Sequence, residues 1–209
     1  MTLQFPTEII FANLTQSMSK SVGKFETIGH HTFENRGQDD AKNAPYRCID
    51  VNAFLGRGYY FWEDNLVFAK HWGGIWYVNN GKKYFIGETT IVCDQGDFFD
   101  LVGSRTHQKM VREIAKLLAT KRPRLSGWPI GKIIEFLKAA SKDPDDPFYE
   151  KFKYRVIRAA DDASLKLSHE HKFADDKNSY MDLNPCYIIC VTFINGIIST
   201  PIKVVHASN

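Results

Sequence analysis

The chain has 209 residues, of which 44% are hydrophobic, 24% charged and 13% aromatic, with eight prolines. That composition fits one globular domain and excludes a mainly disordered chain. No window approaches the roughly 18 consecutive apolar residues of a membrane span. Net charge is +3, with 27 basic and 24 acidic residues, too mild to require a polyanionic partner or to exclude one. The start, Met1 to Pro6, lacks a basic stretch followed by an apolar one, so no signal peptide is predicted. Cys48, Cys93, Cys186 and Cys190 form no Cys-x-x-Cys pair. Cys186 and Cys190 lie four apart in an apolar run, which places both on one strand face as core thiols. A reduced, cytoplasmic protein is expected, with an exported effector carrying free thiols as the alternative.

Residues 7–20 read as a short amphipathic helix or an irregular arm. Phe25 to Phe33 read as a strand with histidines at its end, and 34–50 as a polar loop. Phe54 to Phe61 form a glycine-punctuated aromatic strand. Asn65 then caps a short helix over Leu66 to Trp72. Asn79-Asn80-Gly81-Lys82 between two apolar runs predicts a hairpin. Phe98 to Leu101 is expected to turn into a capped helix. Ser104 to Thr120 and Pro129 to Ser141 carry helical periodicity, and Tyr149 to Ala160 reads as a third helix. Residues 161–185 carry no clear signal. Tyr187 to Phe193 and Ile197 to Val205, joined by Asn195-Gly196, predict a second hairpin. The order argues α+β in a single domain over 1–209, with a helical insertion over about 104–160. First and last strands are free to share a sheet.

Neither a GxGxxG fingerprint nor a GxxxxGK[ST] loop occurs, and no GxSxG elbow is present. The histidines His30, His31, His71, His107, His169 and His171 match no zinc spacing, so no metal site is predicted. Gly56-Arg57-Gly58-Tyr59-Tyr60-Phe61 stands out: glycines permit close backbone approach, and a flat ligand can lie on the ring after them. The same pattern also suits a strand whose aromatics fill a core.

That segment resembles the central motif of the ADP-ribosyltransferase superfamily, whose diphtheria-toxin and poly(ADP-ribose)-polymerase branch carries Gly-Lys-Gly-Ile-Tyr-Phe there. The run Leu55 to Asn65, followed by Ala69-Lys70-His71-Trp72, is closer to small bacterial proteins of that fold. His30-His31-Thr32 is similar to the family's His-Gly-Ser/Thr triplet, with His31 in the glycine position. The resemblance implies a split mixed sheet and NAD as substrate. It implies that His30 bonds the adenosine-side ribose, that backbone at His31 holds the nicotinamide amide, and that Tyr60 stacks on the nicotinamide ring. Thr32, Gly58, Tyr59 and Phe61 fall within the NAD-binding segments. His71 falls where the polymerases place a second stacking aromatic, and Phe68 where they place a serine.

The family carries a Glu or Gln on a late strand, where the alignment here puts Ile188. Three alternatives are open. The carboxylate lies earlier, among Glu170, Asp182 and Asn184, with Asp182 taken as the candidate; a different residue activates the acceptor; or the protein binds NAD without transfer. The implied activity is transfer of ADP-ribose to a macromolecular acceptor, protein or nucleic acid, in a bacterial toxin or defence setting. An antitoxin or immunity protein is a matching partner. Basic residues from Lys121, Arg122 and Arg124 through Lys132, Lys138, Lys151, Lys153, Arg155 and Arg158 suit either a nucleic-acid face or an ordinary solvated helical surface.

Overall fold

The computed structural model describes residues 23–37, 42, 44–121, 127–146, 148–149, 152–161, 170–172, 180–182 and 185–209. The N-terminal helix expected over 7–20 lies outside them.

The fold is α+β, built on one seven-stranded mixed sheet. The long strands come first. Alternation along β1 (Lys24–Glu34) puts Phe25, Gly29, His31 and Phe33 on one face, and Ile28, His30 and Thr32 on the other. β1 pairs antiparallel with β3 (Tyr84–Asp94) along its whole length, from Lys24 opposite Asp94 to Glu34 opposite Tyr84. β2 (Tyr59–Glu63) lies on the other side of β1 but meets it at only two positions, Gly29 opposite Glu63 and His30 opposite Trp62. β2 then pairs with β8 (Tyr187–Val191) over four positions. β8 pairs with β5 (Val156–Ala160), which runs parallel to β4 (Phe98–Asp100). β9 (Lys203–Ala207) closes the far edge against β3. The order is therefore β4-β5-β8-β2-β1-β3-β9: two well-paired halves joined by a two-residue seam between β2 and β1.

Three helices contribute to the core on the His30 face. α1 (Leu66–Trp76) starts where the Asn65 side chain accepts from the Phe68 N–H at 3.1 Å. It buries Phe68, Ala69 and Gly73. α2 (Arg105–Lys121) buries Met110, Val111, Ile114 and Leu118, and α3 (Ile130–Ala140) buries Ile133, Ile134 and Leu137. Their side chains meet Trp62, Phe99, Ile157 and Ile188 in one core. A second core on the other face gathers Phe61, Ile91, Phe98, Val156 and Ile189. Cys186 and Cys190 are both buried in the first core, as free thiols. A short separate ribbon pairs β6 (Glu170–Lys172) with β7 (Tyr180–Asp182).

Several expectations are corrected. Neither Asn-Gly makes a hairpin. Ile75 to Val78 is the end of α1 and the start of a 3₁₀ turn, and Gly81, with φ 71°, ends that turn in the left-handed region. The apolar side chains there, Ile75, Trp76 and Val78, are exposed, so their hydrophobicity did not mark a strand. Gly196, also at φ 71°, turns the chain after β8. The next strand crosses over to pair with β3 instead of β8. Phe98 to Asp100 is a strand. Val156 to Ala160 is a strand too, so the helical insertion stops short of 160. Val156 and Ile157 are both fully buried, one in each core. A short apolar run covered on both faces has no period that separates strand from helix.

Candidate functional site

The seam between β1 and β2 opens because of one side chain. Asp64 N–H donates to Ile28 O, so even-numbered residues of β1 aim their backbone groups at β2. A continued ladder would bring Thr32 N–H to Tyr60 O. Instead His31 Nδ1–H donates to Tyr60 O at 2.8 Å. Its Nε2 accepts from Tyr46 N–H at 3.0 Å, which fixes the tautomer. The ring packs beside Phe33 and Phe61, at centroid distances of 5.6 and 5.5 Å. Burial pushes its pKa down to about 4. His31 thus replaces a ladder bond with an imidazole bond, and β1 and β2 part there. Residues 44–48 lie in the gap: Tyr46 bonds His31, and Cys48 bridges to Gly58.

On the opposite face, cross-strand register sets a row: Glu88, His30, Trp62, Ile188 and Ala159, contributed in turn by β3, β1, β2, β8 and β5. Tyr60, two residues before Trp62, shares that face. Its hydroxyl donates to Gly56 O at 2.5 Å and accepts from Leu55 N–H at 2.7 Å, and burial raises its pKa. The turn holding it is itself held by α3. Glu135 accepts from Arg57 N–H and Nε–H at 2.7 and 2.8 Å, and Lys138 Nζ donates to Arg57 O at 2.9 Å. A Cβ on Gly58 would stand 2.4 Å from Cys190 Sγ, so only glycine fits between this turn and β8.

His30 is 5% exposed. Its Nε2 lies 3.3 Å from Glu88 Oε2, while Nδ1 is buried with no hydrogen-bond partner. A buried, unpaired ring nitrogen costs about 1–3 kcal/mol and calls for an explanation. No protein-family model, curated protein or solved structure matches this chain. The site is therefore read from its own geometry.

That geometry brings His30 and Tyr60 to one face of the seam, with Trp62 between their positions in the sheet. Thr32 belongs to the same face, where its hydroxyl donates to Ala69 O of α1 at 3.0 Å. Other expected site residues are placed elsewhere. Tyr59 and Phe61 point to the opposite face, into the second core, as strand alternation requires. His31 has its side chain on that face as well. Its backbone groups aim at β3, so those directed to the opening are Thr32's and not His31's. Phe68 is buried in the first core, stacked near Trp62 at 6.2 Å. His71 is exposed on α1. Asp182 lies in the separate ribbon, with Glu170 as its cross-strand partner, and Asn184 falls outside the described residues.

Ile188 sits directly opposite Trp62 and is 7% exposed, in apolar surroundings. The carboxylate on the same row is Glu88, three strands away, or roughly 14 Å at the usual interstrand spacing. Sequence reasoning missed Glu88 because nothing local marks it; only the register of β1 on β3 brings it to His30. On the far face, Arg158 Nε lies 2.6 Å from Glu63 Oε2, and the guanidinium stands 4.5 Å from the Tyr187 ring centroid. Desolvation holds the Glu63 pKa above its ordinary value despite Arg158. Three cations of the basic stretch are thereby committed within the protein: Lys138 to Glu135, Arg155 to Asp97 and Arg158 to Glu63. Among the described residues, no group of three or more His, Cys, Asp or Glu is arranged to hold a metal. No helix there is long and apolar enough to cross a membrane.

Proposed function

We propose that this chain is an ADP-ribosyltransferase-type domain that takes NAD at the opening between β1 and β2. The observation that carries this reading is the buried, unpaired Nδ1 of His30 on the face it shares with Tyr60. A split between sheet halves, a histidine with an unused ring nitrogen and a glycine-flanked tyrosine are the parts the family resemblance calls for. Nicotinamide in NAD is a flat cation, which an aromatic ring binds favourably. In the transfer, the ribose C1′–nitrogen bond breaks and nicotinamide leaves with the electron pair. An acceptor oxygen or nitrogen then bonds C1′ and gives up its proton. Positive charge develops on the ribose, as in glycoside hydrolysis, and the family the chain resembles meets that charge with its late-strand Glu or Gln. The acceptor is a macromolecule, protein or nucleic acid. The toxin or defence setting and a cognate antitoxin or immunity protein rest on the resemblance alone, and a cytoplasmic location rests on the free cysteines.

A second reading, NAD binding without transfer, is favoured by one observation. Ile188 occupies the late-strand position, buried among apolar neighbours, where the family has Glu or Gln. Both readings meet in one experiment. The protein is incubated with adenylate-labelled NAD and cell lysate, and the product is split between protease and nuclease digestion. Macromolecular label sensitive to one digest supports transfer and identifies the acceptor class. Thermal stabilisation by NAD without label or free nicotinamide supports the second reading. Absence of all three overturns both.

A further inference from the structure

We propose that Trp72 and Trp76 of α1 form a stacking platform for single-stranded nucleic acid. The binding surface rests on the structure alone; that the bound strand is the acceptor of ADP-ribose rests on the transferase reading.

Helical periodicity puts Trp72 and Trp76 on the side of α1 that buries Phe68, Ala69 and Gly73. That side meets the sheet, yet the two indoles stay 38% and 53% exposed. Gly73 lies against the Tyr84 ring of β3, so close that a Cβ would stand 2.4 Å from it. Trp72 meets Trp62 of β2 instead, at a centroid distance of 5.7 Å, and β2 and β3 flank β1 on opposite sides. Trp76 continues from Trp72 at 5.2 Å. Three rings therefore step from Trp62, opposite His30 in the sheet, out to solvent.

Charge narrows the ligand. From Asn65 to Gly87 the chain has no Asp or Glu but has Lys70, Lys82 and Lys83. All three lysines are exposed. Lys82 pairs with Glu34, which Arg36 holds as well, so that carboxylate is neutralised. Exposed aromatic rings beside cations, with no carboxylate in the segment, suit a single strand: bases stack on the rings and phosphates meet the lysines. A duplex keeps its bases stacked on one another and has no use for the rings. A neutral sugar uses the rings but not the lysines. The basic stretch that follows α2 is less suited, because Lys138, Arg155 and Arg158 are paired with carboxylates.

The test measures fluorescence polarisation of labelled oligothymidylate and oligouridylate, about 20 nucleotides long, on the full chain without NAD. Both are expected to bind, since stacking and backbone charge are common to them, and to weaken as salt rises. Trp76→Ala is expected to weaken binding about 5- to 150-fold, the range of one base stack, with the thermal melt near wild type. Trp76→Phe keeps a ring and most of the affinity. Lys70→Gln is expected to reduce the slope of log affinity against log salt by about 0.7. Should Trp76→Ala melt early, that slope decides the matter, and an unchanged slope overturns the proposal. Failure to bind at low salt, equal binding by a folded Trp76→Ala variant, equal binding of a duplex, or displacement by a neutral oligosaccharide overturns it too. Displacement by NAD also overturns it, because the rings would then belong to the NAD site. A strand that binds but takes no label from NAD leaves the platform standing and removes its acceptor role. Label reaching the strand undiminished in Trp76→Ala supports the transferase reading and overturns the platform.

Discussion

His30 and His31 are adjacent in the chain, buried to nearly the same degree, and opposite in condition. His31 has both ring nitrogens engaged by backbone groups, Tyr60 O and Tyr46 N–H, and packs against aromatic rings. His30 has one nitrogen beside a half-exposed carboxylate and the other buried without a partner. The alternation of β1 sends them to different faces. One face is closed and chemically complete. The other carries an unmet hydrogen-bonding demand. A residue that completes the fold and a residue that waits for a ligand differ here by one position of strand parity.

The contrast breaks most visibly at His31. Replacing it by Phe keeps the volume but leaves Tyr60 O and Tyr46 N–H unpaired in a buried place. A loss of about 3 kcal/mol is expected in urea unfolding, at roughly 1–3 kcal/mol per stranded group. The pH dependence sharpens this. Folding lowers the His31 pKa from 6.5 to about 4, so the unfolded chain takes up a proton that the folded chain refuses. The stability this group contributes is fully present above pH 6.5 and is lost as pH falls toward about 4. The loss amounts to about 3 kcal/mol over that window, at roughly 1.4 kcal/mol per unit. Wild-type stability should fall on acidification through that range, and His31→Phe should remove this part of the slope. An unchanged slope would mean that His31 is not the titrating group.

The closed face has a second test at Arg158. It pairs with Glu63, whose side chain keeps only 10% of its surface. Arg158→Ala strands a desolvated carboxylate, and a loss of about 2–3 kcal/mol is expected, somewhat below that for fully buried pairs. The Glu63 pKa, already above its ordinary value through desolvation, should rise further once its cation is gone. Stability of the variant should therefore improve toward acid relative to wild type. Chemical denaturation at two pH values reads both effects.

Much of this architecture was legible in the sequence where a period or a cap had one meaning. The amphipathic spacing of α2 and α3 and the Asn65 cap of α1 gave their elements directly. The alternation of β1 did the same. The failures share a cause. β5 is apolar on both faces because a core covers each, so its pattern carries no period. Both Asn-Gly pairs announced a turn truly, but turn chemistry does not specify the element on its far side: one ends a helical segment, the other begins a crossover. At the site, Tyr60 and the histidine pair were visible as residue types. Which histidine faces the opening, and that Glu88 faces His30, depend on register between strands more than fifty residues apart. Register is set by the whole sheet, and no local window contains it.

Glu135 links the helical layer to the turn before Tyr60, and so connects the fold's packing to the open face. It accepts three hydrogen-bonding contacts from Arg57 and Lys138, and Arg57 itself is half exposed. Glu135→Ala should cost about 1–2 kcal/mol, since only the turn and not the core loses partners. The larger consequence is expected in ligand affinity, because the Tyr60 hydroxyl is positioned by that turn at Gly56 O and Leu55 N–H. A variant that melts near wild type but no longer gains stability from NAD would show the turn serving the site. A variant that loses stability and keeps its NAD response would show it serving the fold only.

The smallest expected change in stability is at His30, and it is the most informative. His30→Phe removes the unpaired Nδ1 together with the contact to Glu88, and fills nearly the same volume with carbon. The first loss relieves a cost and the second forfeits a partly exposed contact, so the net change should lie within about 1 kcal/mol of zero. The same substitution one residue later is expected to cost about three times that. If His30 serves the fold as His31 does, the two variants will melt alike and NAD will stabilise both or neither. If the unpaired nitrogen belongs to a ligand, His30→Phe will keep its stability and lose its response to NAD. His31→Phe, wherever it remains folded, will keep some of that response, because its side chain lies on the other face of the sheet.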